Sequence, residues 1–92
     1  MAFSYYWVMN SKPKTIHVEY YAILREQRGC HKETLLTQAV TLKQLYEELQ
    51  KRFGFNLSSH LLRVAVNNEF KNWSTAININ DKVVFIPPVA GG

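Results

Sequence analysis

Cysteine is almost missing from this 92-residue chain, where Cys30 stands alone. An internal disulfide is thereby excluded, and with it the class of small secreted domains stapled by several bridges. His17, His31 and His60 are scattered along the chain, and no Cys/His spacing matches a zinc site. No Ser/His/Asp grouping and no phosphate-binding glycine loop is present. No apolar run is long enough to span a bilayer, so no membrane association is expected. Basic residues are not clustered either. The net charge is +4, but Lys12, Lys14, Arg25, Arg28, Lys32, Lys43, Lys51, Arg52, Arg63, Lys71 and Lys82 are spread along the chain. This reads as an ordinary solvated surface and not as a nucleic-acid footprint. With a single thiol and no bridge, a reducing, cytoplasmic setting is the simplest expectation.

What is present is globular. Hydrophobic residues make up 47% of the chain and charged residues 20%, unlike a disordered composition. The length suits one domain with a modest core and a small stability margin. The first residues, Met1-Ala2-Phe3-Ser4-Tyr5-Tyr6-Trp7-Val8-Met9, are apolar and aromatic. They lack the basic start and small-residue cleavage site of a secretory signal. Pro13 sets them apart, so residues 1–13 read as an extension, either poorly ordered or loosely docked. Cys30 has Arg28, His31 and Lys32 as neighbours, which favour a thiolate; an incidental loop thiol is the plainer reading.

Thr15 to Ala22 reads as a strand, with Ile16, Val18 and Tyr20 on one face and His17, Glu19 and Tyr21 on the other. Arg25 to Gly29 reads as a loop, and Glu33 to Ala39 as a second strand. The clearest element is a helix from Leu42. Thr41 and Gln44 form a capping box, and Val40 and Leu45 occupy the positions of a hydrophobic staple. Leu42, Leu45, Tyr46, Leu49 and Phe53 make one apolar stripe. Lys51 and Arg52 suit the helix C-terminus, and Gly54 is placed to be its left-handed stop. Leu61 to Val66 reads as a strand, Asn67-Asn68 as a tight turn, Glu69 to Lys71 as a short returning strand, and Lys82 to Ile86 as a last strand after an Asn80-Asp81 turn. The near-continuous apolar run of the last strand marks it as central. One helix must cover one face of one mixed sheet, with the first and last strands parallel at its centre. That pattern is an α+β β-grasp, or ubiquitin-like, roll of about five strands over residues 14–86.

Residues 87–92, Pro87-Pro88-Val89-Ala90-Gly91-Gly92, form a tail. The prolines end the strand and bias the exit toward an extended course. Six extended residues reach roughly 20 Å. Gly91 and Gly92 carry no Cβ, so a partner's channel can close on their backbone. A terminal Gly-Gly is a weak signal alone. Directly after a Pro-Pro strand exit on this pattern, it points to a carboxylate threaded into a partner enzyme, activated as an acyl-adenylate and converted to a thiocarboxylate.

The chain from Ile16 to Gly92 resembles the small, sulfur-carrying subunit of molybdopterin synthase. Three stretches carry the resemblance: Tyr20-Tyr21-Ala22-Ile23-Leu24-Arg25-Glu26 followed by Gly29, Leu62 to Asn67, and Asn80 to Gly92. It implies an adenylating enzyme akin to ubiquitin activators, a sulfur donor, and a Gly92 thiocarboxylate delivered to cyclic pyranopterin monophosphate. It also implies docking on the large synthase subunit in a heterotetramer. The carrier itself would be a non-catalytic subunit without cofactor or metal. By position, Tyr21, Phe70 and Ile86 match the family's apolar docking patch and Arg25 a basic residue beside it, while Pro87 to Ala90 would lie along the partner. Plain sheet packing is the competing reading for Tyr21 and Ile86, and core filling the better one for Phe70. The family usually has phenylalanine where this chain has Tyr20 and Tyr21. Carriers for thiamine's thiazole or for tRNA thiolation, and ubiquitin-like modifiers, share the tail chemistry and remain alternatives. A β-grasp interaction domain with an inert tail is the bland one.

Overall fold

A computed structural model of the chain describes residues 12–88. Its strands are β1 (Lys14–Tyr20), β2 (Lys32–Thr37), β3 (Arg63–Val66), β4 (Glu69–Lys71) and β5 (Lys82–Ile86); its helices are α1 (Ala22–Arg28) and α2 (Leu42–Phe53). The sheet order is β2-β1-β5-β3-β4. β1 and β5 run parallel at the centre, with Val18 opposite Val83 and Tyr20 opposite Phe85, as the strand pattern requires. Every other neighbouring pair is antiparallel.

Alternation divides the sheet into two faces. Ile16, Val18, Tyr20, Val64, Val83 and Phe85 are buried against Leu42, Leu45, Tyr46 and Leu49 of α2. An aromatic cluster fills the far end of this core. Trp73 stacks on Phe85 at 6.1 Å between ring centroids, and Tyr46 stacks on Phe55 at 6.0 Å. The Tyr46 hydroxyl donates to the Leu57 carbonyl at 2.7 Å, and burial pushes that phenol up to about 12.

Several sequence expectations need correction. The stretch expected as a loop around Arg25 is helix α1. Its residues are good helix formers, but only Leu24 among them is buried, so no apolar stripe announces it. Gly29 closes it at φ 85. β1 stops at Tyr20 because Ala22 takes a left-handed φ of 52. β2 ends at Thr37, not Ala39, where the Ala39 N–H donates to Thr37 Oγ1 at 3.0 Å and turns the chain. Leu61 belongs to a 3-10 turn, Ser59–Leu61, capped by Ser58, so β3 begins only at Arg63.

The helix cap holds in part. The Gln44 N–H donates to Thr41 Oγ1 at 3.2 Å, but Gln44 Oε1 reaches past Thr41 to accept from the Val40 N–H at 2.9 Å. Val40 is 56% exposed and forms no buried staple. Gly54 is the expected left-handed stop at φ 72. Asn67 and Asn68, at φ 51 and 74, make the two-residue hairpin turn between β3 and β4. Buried Asp81 secures the start of β5, accepting from Asn67 Nδ2 at 3.0 Å and from the Asn78 N–H at 2.8 Å.

Candidate functional site

The side of the sheet that α2 does not cover carries the site. Parity along the strands puts Glu19, Tyr21, Ala65, Phe70, Val84 and Ile86 on this open side. β5 is apolar on both faces, since Val83 and Phe85 enter the core while Val84 and Ile86 look outward. Together Tyr21, Ala65, Phe70, Val84 and Ile86 line a shallow apolar depression of about 430 Å³. Tyr21 is 41% and Phe70 63% exposed. The expectation that Phe70 fills the core is therefore wrong. The two-residue Asn turn fixes β4 against β3 so that Phe70 faces Ala65 across the pair, and no helix covers that side.

A second depression, of about 550 Å³, adjoins the first. It is lined by His60, Leu61, Leu62, Arg63, Phe70, Ile86, Pro87 and Pro88. Phe70 and Ile86 belong to both. One apolar surface thus runs from Tyr21 to the point where the chain leaves β5. Pro87 is buried and Pro88 exposed there, so the strand exit is anchored immediately before the tail. The Arg63 guanidinium lies over the Phe70 ring, 5.3 Å from its centroid. Arg25 stands exposed on α1 and lines neither depression. Val89, Ala90, Gly91 and Gly92 lie outside the described residues.

Glu19, Asn68 and Lys82 also line the first depression and make part of its rim polar. Lys82 Nζ pairs with Glu19 Oε2 at 3.0 Å, and His31 Nε2 is 4.0 Å from Glu19 Oε1. The hydrogen bond from Lys82, supported by nearby Lys32 and His31, holds the Glu19 carboxyl below its ordinary value, against some desolvation. The His31 ring meets Tyr21 edge-on at 5.2 Å and steadies it at the rim. Behind the sheet, Tyr20, fully buried, donates its hydroxyl to Glu33 Oε2 at 2.7 Å, and Arg28 donates to both Glu33 oxygens at 2.7 Å. Arg28 also lies 4.0 Å over the Phe53 ring. The tyrosine hydroxyl that departs from the phenylalanine pattern thus has a partner, and this network ties the end of α1 to β2.

Ala65, Val84 and the Glu19–Lys82 pair were not singled out from sequence. The signal existed in the apolar runs Val64-Ala65-Val66 and Val83-Val84-Phe85-Ile86: a strand apolar on both faces, with only one helical layer, turns one of them away from the helix. Among the described residues no group of three or more His, Cys, Asp or Glu could hold a metal ion, and no helix is long and apolar enough to cross a membrane. Cys30 is partly buried against the core.

This architecture has known relatives. Subunits 1 and 2 of the molybdopterin-converting factor from Helicobacter pylori form a complex that matches with 25% identity and a TM-score of 0.58, covering 85% of this chain and 99% of that one. SAMP1 from Haloferax volcanii matches with 20% identity and a TM-score of 0.67, over 85% of this chain and 99% of that one. The BexX/CysO complex of Amycolatopsis orientalis matches with 19% identity and a TM-score of 0.62, over 84% and 99%. The ThiS family matches residues 18–92, from the middle of β1 through the Gly-Gly tail. With the β-grasp topology and the Pro-Pro exit already in place, the chain belongs to the ThiS family and is a ThiS-like sulfur carrier.

Proposed function

We propose that this protein carries sulfur on the Gly92 carboxyl for molybdopterin synthesis. One observation carries the reading: the exposed apolar surface of Tyr21, Phe70 and Ile86 runs without a break to Pro87 and Pro88, where a glycine-ended tail begins. A partner seated on that surface receives the tail directly. An adenylating enzyme would join Gly92 to AMP, releasing pyrophosphate. A sulfur donor would displace AMP and leave a thiocarboxylate, which is more nucleophilic than a carboxylate and still anionic. On the large synthase subunit the sulfur would attack cyclic pyranopterin monophosphate, and water would cleave the acyl–sulfur bond to return the Gly92 carboxylate. The catalytic groups for these steps reside in the partners.

Support for the pathway comes from the Tyr20 to Glu26 and Asn80 to Gly92 stretches and from the Helicobacter pylori complex, in which a relative of this fold meets a second subunit. The BexX/CysO complex supports a protein partner in general. The test is reconstitution: thiocarboxylated protein, the large synthase subunit and cyclic pyranopterin monophosphate should together yield molybdopterin. No product in that mixture, with product from a thiazole-forming system or covalent lysine conjugates instead, would assign the chain to one of the other Gly-Gly pathways.

A further inference from the structure

Arg63 stands where any cover of Phe70 must meet it. In β3 it precedes Ala65 by two residues, on the same open side of the sheet. It lies directly opposite Ile86 of β5, while Phe70 faces Ala65 from β4. Its guanidinium reaches across to the Phe70 ring, 5.3 Å from the centroid. Arg63 also lines the second depression with Ile86, Pro87 and Pro88. A partner that encloses Phe70 and follows the chain out of β5 therefore covers this cation as well.

The other charges nearby are already answered. Glu19 and Lys82, which line the first depression, pair with each other at 3.0 Å. Lys71 on β4 pairs with Glu69 at 3.2 Å. Arg63 is exposed and, among the described residues, has no carboxylate within ion-pair distance. We propose, resting on the docking surface of the function proposed above, that the partner seated there presents an aspartate or glutamate carboxylate to Arg63, beside the apolar pocket that takes Phe70. Charge complementarity favours it. A guanidinium stripped of water without a counter-charge opposes docking, and a carboxylate at that point offsets the cost. Lying over Phe70, the guanidinium can still donate two parallel hydrogen bonds from one edge, the geometry that suits a carboxylate. A partner with a basic or apolar rim there would leave the charge repelled or unpaired, so Arg63 also discriminates between partners. Arg25, which lines neither depression, does not share this role.

The test is binding of the full-length protein to the large molybdopterin synthase subunit, with association rate and affinity followed as salt is raised. Association of the parent should slow as salt rises. Arg63→Leu should bind roughly tenfold or more weakly, with a shallower salt dependence. Arg63→Glu should bind more weakly still. Arg63→Lys, which keeps the charge and loses the planar fork, should fall between Arg63→Leu and the parent. Urea midpoints of the three variants should match the parent's, because Arg63 is exposed. Unchanged or tighter binding by Arg63→Leu overturns the proposal, since no carboxylate then answers the cation. Equal losses in Arg63→Leu and Arg63→Glu, with the parent's salt dependence retained, also overturn it and leave the guanidinium only steadying the Phe70 ring. In both cases the parent still binds, so the pathway stands. A parent that does not bind the subunit at all overturns the pathway reading, and the carboxylate assigned to that partner falls with it.

Discussion

Ala22, the first residue of α1, has φ 52, a conformation costing an L-residue roughly 1–2 kcal/mol. Ala22→Gly should therefore leave stability unchanged or raise it by up to about 1 kcal/mol, whereas Ala22→Val should lower it by about 1–2 kcal/mol. Urea midpoints of the three proteins check this. The Glu33 carboxylate binds Arg28 and the Tyr20 hydroxyl and is held below its ordinary 4.5, chiefly by the Arg28 hydrogen bonds and despite some desolvation. A carboxyl depressed on folding stabilises the protein above its unfolded value, and that contribution is lost as pH falls through its folded value. Glu19, lowered by Lys82, acts in the same direction. Urea stability should thus hold near neutrality and decline below pH 4.5, and Glu33→Gln should be less stable near neutrality and flatten that decline. A Glu33→Gln profile parallel to the parent's would contradict the assignment. These pairings were not legible in the sequence, because Arg28 and Glu33 meet only once the turn at Gly29 reverses the chain.

At the scale of elements, α2 was the most readable. Its stripe, its Thr41 cap and its Gly54 stop lie within consecutive residues, so local chemistry alone encodes it. Thr41→Ala should cost about 1 kcal/mol by orphaning the Gln44 N–H. Gly54→Ala should cost a similar amount, about 1 kcal/mol, because φ is 72 there although the space around it is open. Thermal or urea unfolding measures both. α1 was missed for the opposite reason. It buries a single residue, Leu24, and without a stripe its charged sequence looks like a loop. The hairpin turn at Asn67-Asn68 was readable, but the outward orientation of Phe70 was not. Its side depends on the β3–β4 register and on there being one covering helix, which are properties of the sheet and not of the segment.

At the scale of the whole molecule, a core-packed sheet carries an apolar surface that ends at Pro87 and Pro88. Phe70→Ser should change folding stability by no more than about 0.5 kcal/mol, since the ring is already mostly exposed. Under the proposed function it should also weaken binding to the large synthase subunit by roughly tenfold or more, as truncation of an aromatic anchor does; calorimetric titration against that subunit checks the binding and urea unfolding the stability. The β-grasp order was legible because strand periodicity and a central apolar last strand are local signals, as is the Pro87-Pro88 strand exit. The continuous apolar surface was only partly so, since it is assembled from three strands that meet through the crossover. The most direct measurement is the intact and C-terminal peptide mass of the protein recovered from its own cells. Exchange of one oxygen for sulfur, located at Gly92 and abolished when Gly92 is removed, is the expected result. A C-terminal peptide that never gains sulfur, in cells actively making the cofactor, would contradict a working Gly92 carboxyl.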